Sequence, residues 1–511
     1  MQTLDLSLKV KNPNIELADL SQHSVDEENE VCIEIFHMLM QAFKECERYS
    51  SKYLNLIAIF FPDLMRISTS CVLKYKEIEK AQIRREEKKT YSALSEFPFC
   101  GYRELLEGTL NITSKHGFSD MKLTGKIKFL NNIGKIFKRV CYYGYWPIGK
   151  KREVDSFKYI LKHLSTSKIF PVFPQQARIH IPRYENQHAI VSHFFENVIE
   201  RYKIPVHSDE FVNLFDLVYS HFIADKEEPA KYQVLVTGTL QRRITRILAA
   251  HARSQDIPVI TVSHGEGDQL IVDEPRIGFG EFTCPSFFIG YGTEGQKRLS
   301  STEYTSGLYE KCEYVPSNSD VCKKIYNPSR EILKLSDLTK PTYMYVPTTF
   351  EGGKRYGPFH NLPDVVYYEW QRRIHELFPE AIYKSHPKLL KIDMGFKEVE
   401  EGYFEECHEA ADVYIFDVIA TAFNIAAATN KPIIYFDIGV RNIFPDVAQL
   451  LKERCIWVDA RENKACDYLR SEIDKQRDKT LRNNYTEKYC IVDSDQTRQD
   501  VVIETIKRAC S

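Results

Sequence analysis

The chain has 511 residues, 43% of them hydrophobic and 12% aromatic, enough apolar material for two or three cores rather than one. Its formal net charge of −2 excludes a general polyanion binder, so any basic site is local. The 13 cysteines show no CxxC pair and no metal-ligand spacing; with no secretory leader pattern at the start they read as reduced thiols of a cytoplasmic protein. The longest apolar runs, such as LNLIAIFF (54–61), fall short of the ~20 residues that cross a bilayer.

Residues 1–165 read as a largely helical region. VCIEIFHMLMQAF (31–43) carries helical spacing, and LKYKEIEKAQIRREEKK (73–89) has the composition of a solvated charged helix. Within this region, 121–152 holds nine Lys/Arg and no acid, interleaved with Leu, Ile, Phe, Tyr and Trp. Four uses fit that pattern: an ordinary basic helix packed on the fold, a peripheral contact with an anionic membrane, a grip on an acidic glycan, or stacking of its aromatics on nucleic-acid bases. Nucleic acid is not expected as a partner.

From 166 to 335 the pattern becomes α/β. YQVLVTG (232–238) reads as a buried strand, LQRRITRILAAHARSQ (240–255) as an amphipathic helix, IPVITVSHG (257–265) as a strand ending in a glycine turn, and PSFFIGYG (285–292) as another strand. PSNSDVCKKIYNPSREILKLSDLTKP (316–341), rich in Pro, Ser and Asn, reads as a linker. The rhythm resumes over 336–490: strand PTYMYVPTTF (341–350), the loop EGGKRYGP (351–358), helix VVYYEWQRRIHELF (365–378), strand and turn AIYKSHP (381–387), strand ADVYIFD (411–417), a helix of small residues VIATAFNIAAAT (418–429), and strand KPIIYFD (431–437). Residues 491–511 form a closing helix. Strand–helix–strand repetition predicts two parallel-sheet, Rossmann-like domains.

In open α/β sheets ligands gather at the carboxyl ends of strands, and the unusual residues of this chain stand just after predicted strands. His264, Glu266 and Asp268 alternate with glycines in SHGEGDQ (263–269), a set suited to general acid/base work or to a carboxylate nucleophile, or else a plain polar turn. Arg355 lies in the Gly-rich loop, placed for a bidentate grip on phosphate or carboxylate. Lys384 and His386, with Pro387 fixing the local backbone, are cationic groups able to meet a phosphate. Asp417 and Thr421 flank a helix start, where an anion is welcome and where Asp and Thr are equally at home as simple caps.

Together these residues resemble the GT-B glycosyltransferases of bacterial surface polysaccharides, and among them those using CMP-activated acidic sugars: the Kdo transferases and the bacterial sialyltransferases. The resemblance covers roughly residues 230–440 and rests on YKSHP (383–387), on DVIAT (417–421) and on KPIIYFD (431–437). A single threonine stands where the sialyltransferases carry two serines, and HGEGD replaces their acidic pair before a glycine. The resemblance implies two domains facing a cleft. Lys384, His386, Pro387, Asp417 and Thr421 would hold the nucleotide phosphate with help from Arg355, and His264, Glu266 or Asp268 would act on a glycan or lipid-linked glycan acceptor. It implies no cofactor beyond the CMP-sugar donor, no required metal, and a cytoplasmic protein touching the inner face of the membrane. Two alternatives stay open: a CDP-glycerol-type glycerophosphotransferase, whose family pairs a His-Gly turn with a later His-Pro, and a non-catalytic nucleotide- or glycan-binding protein of the same fold.

Overall fold

Two separate six-stranded sheets, parallel throughout, organise the chain. A computed structural model describes residues 25–45, most of 64–76, 138–143, 159–172, 181–182, 187–219, 223–224, 232–263, 270, 285–297, 312–348, 361–385 and 394–511, with isolated positions omitted inside these ranges. The first sheet comprises β1 (Lys138–Tyr143), β2 (Ile169–Val172), β5 (Val234–Thr237), β6 (Val259–Val262), β7 (Phe287–Tyr291) and β8 (Glu313–Ser317), in the order β2-β1-β5-β6-β7-β8. Between them lie the short pair β3 (Ile181–Pro182) and β4 (Ile223–Ala224). The helices α1 (Val25–Glu45), α2 (Gln187–Tyr202), α3 (Ser208–Tyr219) and α4 (Arg243–Ser254) belong to this half. Arg201 and Tyr202 of α2 both donate to Glu34, fastening α1 to α2.

The second sheet comprises β9 (Tyr343–Val346), β10 (Ile382–Lys384), β11 (Glu398–Glu400), β12 (Val413–Phe416), β13 (Ile433–Asp437) and β14 (Ile456–Asp459), in the order β11-β10-β9-β12-β13-β14. A parallel sheet is covered on both faces, so its strands alternate between two apolar layers instead of between core and water. Met344, Tyr414, Phe416, Ile433 and Tyr435 enter one core, while Tyr345, Val413, Ile415, Ile434 and Phe436 enter the other. Around it stand α5 (Asp320–Ile325), α6 (Asp364–Leu377), α7 (Phe404–Cys407), α8 (Thr421–Ala428), α9 (Pro445–Arg454), α10 (Cys466–Asp474) and α11 (Asn484–Tyr489). On α6 the spacing Tyr367, Trp370, Ile374, Leu377 forms the stripe that faces the core.

Three boundaries differ from the sequence reading. The first sheet already begins at Lys138, inside the region expected to be helical: the backbone of 138–141 pairs with β2 and that of 140–143 with β5. The expected linker 316–341 starts within edge strand β8, which tolerates Pro316 because an edge strand needs fewer backbone donors. The segment then enters the second core: Cys322 of α5 is fully buried there and its thiol meets the carbonyl of Asn424. Finally, the closing helix α12 (Arg498–Ala509) returns to the first sheet. Val501, Val502, Ile503 and Ile506 pack with Val234, Val236, Ile260, Val262 and Ile289.

The outgoing and returning crossings run side by side. Ser319 N–H donates to Cys490 O at 2.8 Å. The buried Asn318 amide donates to Ser494 O and Gln496 O at 3.0 Å each, and its oxygen accepts from Val492 N–H at 2.8 Å. Gly292, with φ +65°, lies so close to α11 that a Cβ there would stand 2.2 Å from Lys488 O. Only glycine fits that approach.

Candidate functional site

The carboxyl edge of the second sheet is where the predicted donor residues cluster in sequence, and three of them are described. β12 ends at Phe416, and α8 begins at Thr421. This helix is apolar apart from Thr421 and Asn424; Phe423 through Ala428 are buried, and its small residues let it lie close to the sheet. Its two ends are treated differently. At the carboxyl end, the fully buried Arg454 guanidinium donates to the carbonyls of Ala426, Ala427, Thr429 and Lys431. At the amino end, the cap position is Ala420, in extended backbone, with no side chain accepting from the first turn. Thr421 is the first helical residue and is exposed. The simple-cap reading of Asp417 and Thr421 is therefore not realised. The positive end of the helix dipole lies at the sheet edge, and among the described residues the cap side chain takes no amide of the first turn.

Asp417 does something else. Its side chain is buried and points into the core, where it accepts from Tyr345 O–H at 2.5 Å, Trp370 Nε1–H at 2.9 Å and Tyr367 O–H at 3.0 Å. Burial pushes its carboxyl up to about 6, against the three donors that pull it down. The carboxylate thus binds β9, α6 and the end of β12 to one point instead of facing a phosphate. Tyr367 and Trp370 were missed in the sequence. The available signal was that a helix stripe burying Tyr and Trp must supply partners for their O–H and N–H groups.

Lys384 ends β10. It too is buried, and Nζ donates to the carbonyls of Ser385 and Gly402, each at 2.8 Å. Gly402 holds φ +101° and follows β11, so the ammonium clamps the exits of two neighbouring strands. Ser385 N–H, donating to Glu400 O at 3.0 Å, completes the clamp. Burial lowers the lysine pKa, partly offset by Cys407, Glu400, Glu401 and Glu406 nearby. Two of its three protons thus serve the backbone. β9 separates β10 from β12, so Lys384 and the start of α8 share one edge two strands apart, a lateral offset of about 10 Å.

His386, Pro387, Arg355, His264, Glu266 and Asp268 lie outside the described residues, as does most of 121–152. The residues bracketing the His-Gly-Glu-Gly-Asp stretch are described. Ser263 is buried at the end of β6, while Leu270 is buried in the core of the second half and accepts from Phe444 N–H at 3.3 Å. The two described residues that bracket it thus belong to different halves. A cavity of about 240 Å³ also lies between the halves, lined by Glu294, Lys297, Asp446, Glu453 and Lys488 among others; Lys384, Asp417 and Thr421 are not among its described lining residues.

Among the described residues no group of His, Cys, Asp and Glu is placed to hold a metal ion, and no helix is long and apolar enough to cross a membrane. No protein-family model matches the chain, and no curated protein does. Among solved structures, spinosyn forosaminyltransferase SpnP overlaps 73% of this chain and 100% of its own, at 11% identity and a TM-score of 0.35. Neither activity nor substrate carries over at that level of similarity.

Proposed function

We propose that the protein is a GT-B glycosyltransferase that moves an acidic sugar, Kdo or another nonulosonic acid, from a CMP-sugar to a glycan or lipid-linked glycan acceptor. The observation that carries the reading is the start of α8: a first turn without a side-chain cap and with exposed Thr421, at the carboxyl edge of a parallel sheet, on the same edge as and two strands from the exit of β10 that precedes His386 and Pro387 in the chain. Amides and a hydroxyl set in that way stabilise charge growing on a phosphate as a glycosidic bond breaks. The Lys384 clamp supports the site by fixing where the His-Pro turn departs, and Asp417 by fixing where α8 begins. His386, Arg355 and Thr421 are the proposed phosphate contacts. His264, Glu266 and Asp268 are the proposed acid/base set, on a stretch that joins the two halves.

Thermal stabilisation by CMP, CDP, UDP and GDP, followed by mass spectrometry of CMP released from a CMP-sugar panel, tests this. Selective stabilisation by CMP and CMP release are expected. A preference for CDP transfers the reading to glycerophosphate transfer, and indifference to all four nucleotides leaves only a non-catalytic role. We also propose a peripheral membrane contact through 121–152, for which flotation with anionic liposomes at low salt is the expected positive result.

A further inference from the structure

Tyr367 does more than neutralise Asp417. Its hydroxyl donates to Asp417 Oδ1 at 3.0 Å and accepts from the backbone N–H of Thr348 at 2.8 Å. Thr348 stands two residues beyond the end of β9, where the chain sets out toward Arg355. One hydroxyl therefore joins a strand exit on β9 to the carboxylate at the strand exit of β12, across 19 and 50 residues of sequence. Tyr345 and Trp370 also donate to Asp417, but through Oδ2, and neither is bonded to Thr348.

We propose that Tyr367 is a positioning residue of the donor site: it relays the fixed orientation of Asp417 to the Thr348 amide and so holds the exit of β9 in place beside the exit of β12. The relay has a direction. Asp417 Oδ2 is held by two donors, and Trp370 alone still holds it when the Tyr345 hydroxyl is deleted, so Oδ1 stays a fixed acceptor in that variant. A rigid acceptor fixes the phenol hydrogen, which turns an oxygen lone pair toward Thr348. Without Asp417 the phenol hydrogen is no longer fixed from that side, and the lone pair facing the Thr348 amide is less sharply set. Tyr367 is placed to touch no ligand itself, being fully buried.

The neighbouring tyrosine supplies the control. Tyr367→Phe and Tyr345→Phe each delete one hydroxyl bonded to the same carboxylate, in the same buried cluster. A merely structural role lowers the melting temperature of both and distinguishes them no further. The relay makes a sharper claim, read first by hydrogen–deuterium exchange of the peptide containing Thr348. Exchange there is expected to rise about fivefold in Tyr367→Phe, the equivalent of one net hydrogen bond, and to stay at the wild-type value in Tyr345→Phe. Equal exchange in the two variants, whether raised or unchanged, overturns the proposal.

The second readout rests on the nucleotide reading above. CMP affinity, measured by calorimetry, is expected to weaken about fivefold in Tyr367→Phe and to hold in Tyr345→Phe. An unequal exchange response with no CMP binding in any form refutes the nucleotide reading and leaves the relay standing as a fact of the fold. An unequal exchange response with equal CMP affinities refutes Tyr367 as a positioning residue of the donor site.

Discussion

The two sheets share an architecture but are held at their carboxyl edges by different means. The second sheet is braced from within. Asp417 gathers Tyr345, Tyr367 and Trp370, and Lys384 joins the exits of β10 and β11, all from residues between 343 and 417. The first sheet is braced from outside by the end of the chain. Arg498 stacks on the Tyr291 ring at 4.1 Å and donates to Tyr291 O–H and Ser263 O, while Lys488 O accepts from the amides of Thr293 and Glu294. An edge braced from within can keep a ligand geometry through movements of the other half. An edge braced by a returning tail is tied to those movements.

Removing the tail breaks the comparison most severely. Truncation after Ile491 deletes Val501, Val502, Ile503 and Ile506 from the first core. Four buried aliphatic side chains contribute about 1.5–3 kcal/mol each, comparable in sum with the whole stability of a domain. The first half is expected to become protease-sensitive while fragments covering 343–475 persist, read by limited proteolysis and mass spectrometry. Simultaneous loss of both halves would show that the second sheet is not self-sufficient.

A smaller effect probes the inner brace. Asp417 titrates near 6 in the folded protein and near 3.8 when unfolded, so the folded state holds the proton more tightly. The burial penalty is absent below about pH 4 and complete above about pH 6, so stability falls as pH rises through that window, by about 3 kcal/mol from this group. Urea unfolding of the wild type against Asp417→Asn across pH 4–7 isolates it: the wild type should lose stability relative to the variant as pH rises. A flat difference would mean that the carboxylate is not desolvated as described.

Seven of the fourteen described strands were legible in the sequence because their apolar runs are central and bounded by turn residues. β5, β6, β7, β9, β10, β12 and β13 all lie within predicted strands. β8, β11 and β14 are edge strands, and EVE and EYVPS carry the charge and proline that edges tolerate, which removes the periodic signal. β1 was hidden by its basic neighbours. In the site, the position of Thr421 at a helix start was readable locally. The role of Asp417 was not, because its partners lie 47 to 72 residues away and meet it only after the sheet and α6 have packed. Lys384 is similar: its charge drew attention, but Gly402, 18 residues on, decides its use.

Calorimetric titration of CMP into the wild type and Thr421→Pro decides whether the first turn of α8 receives a nucleotide phosphate. Proline is well tolerated at the first helical position, so the substitution removes the hydroxyl and one amide donor while keeping the helix. The expected result is saturable binding by the wild type, weakened about tenfold or more in the variant at an unchanged melting temperature. Equal affinity in the two proteins would contradict the account.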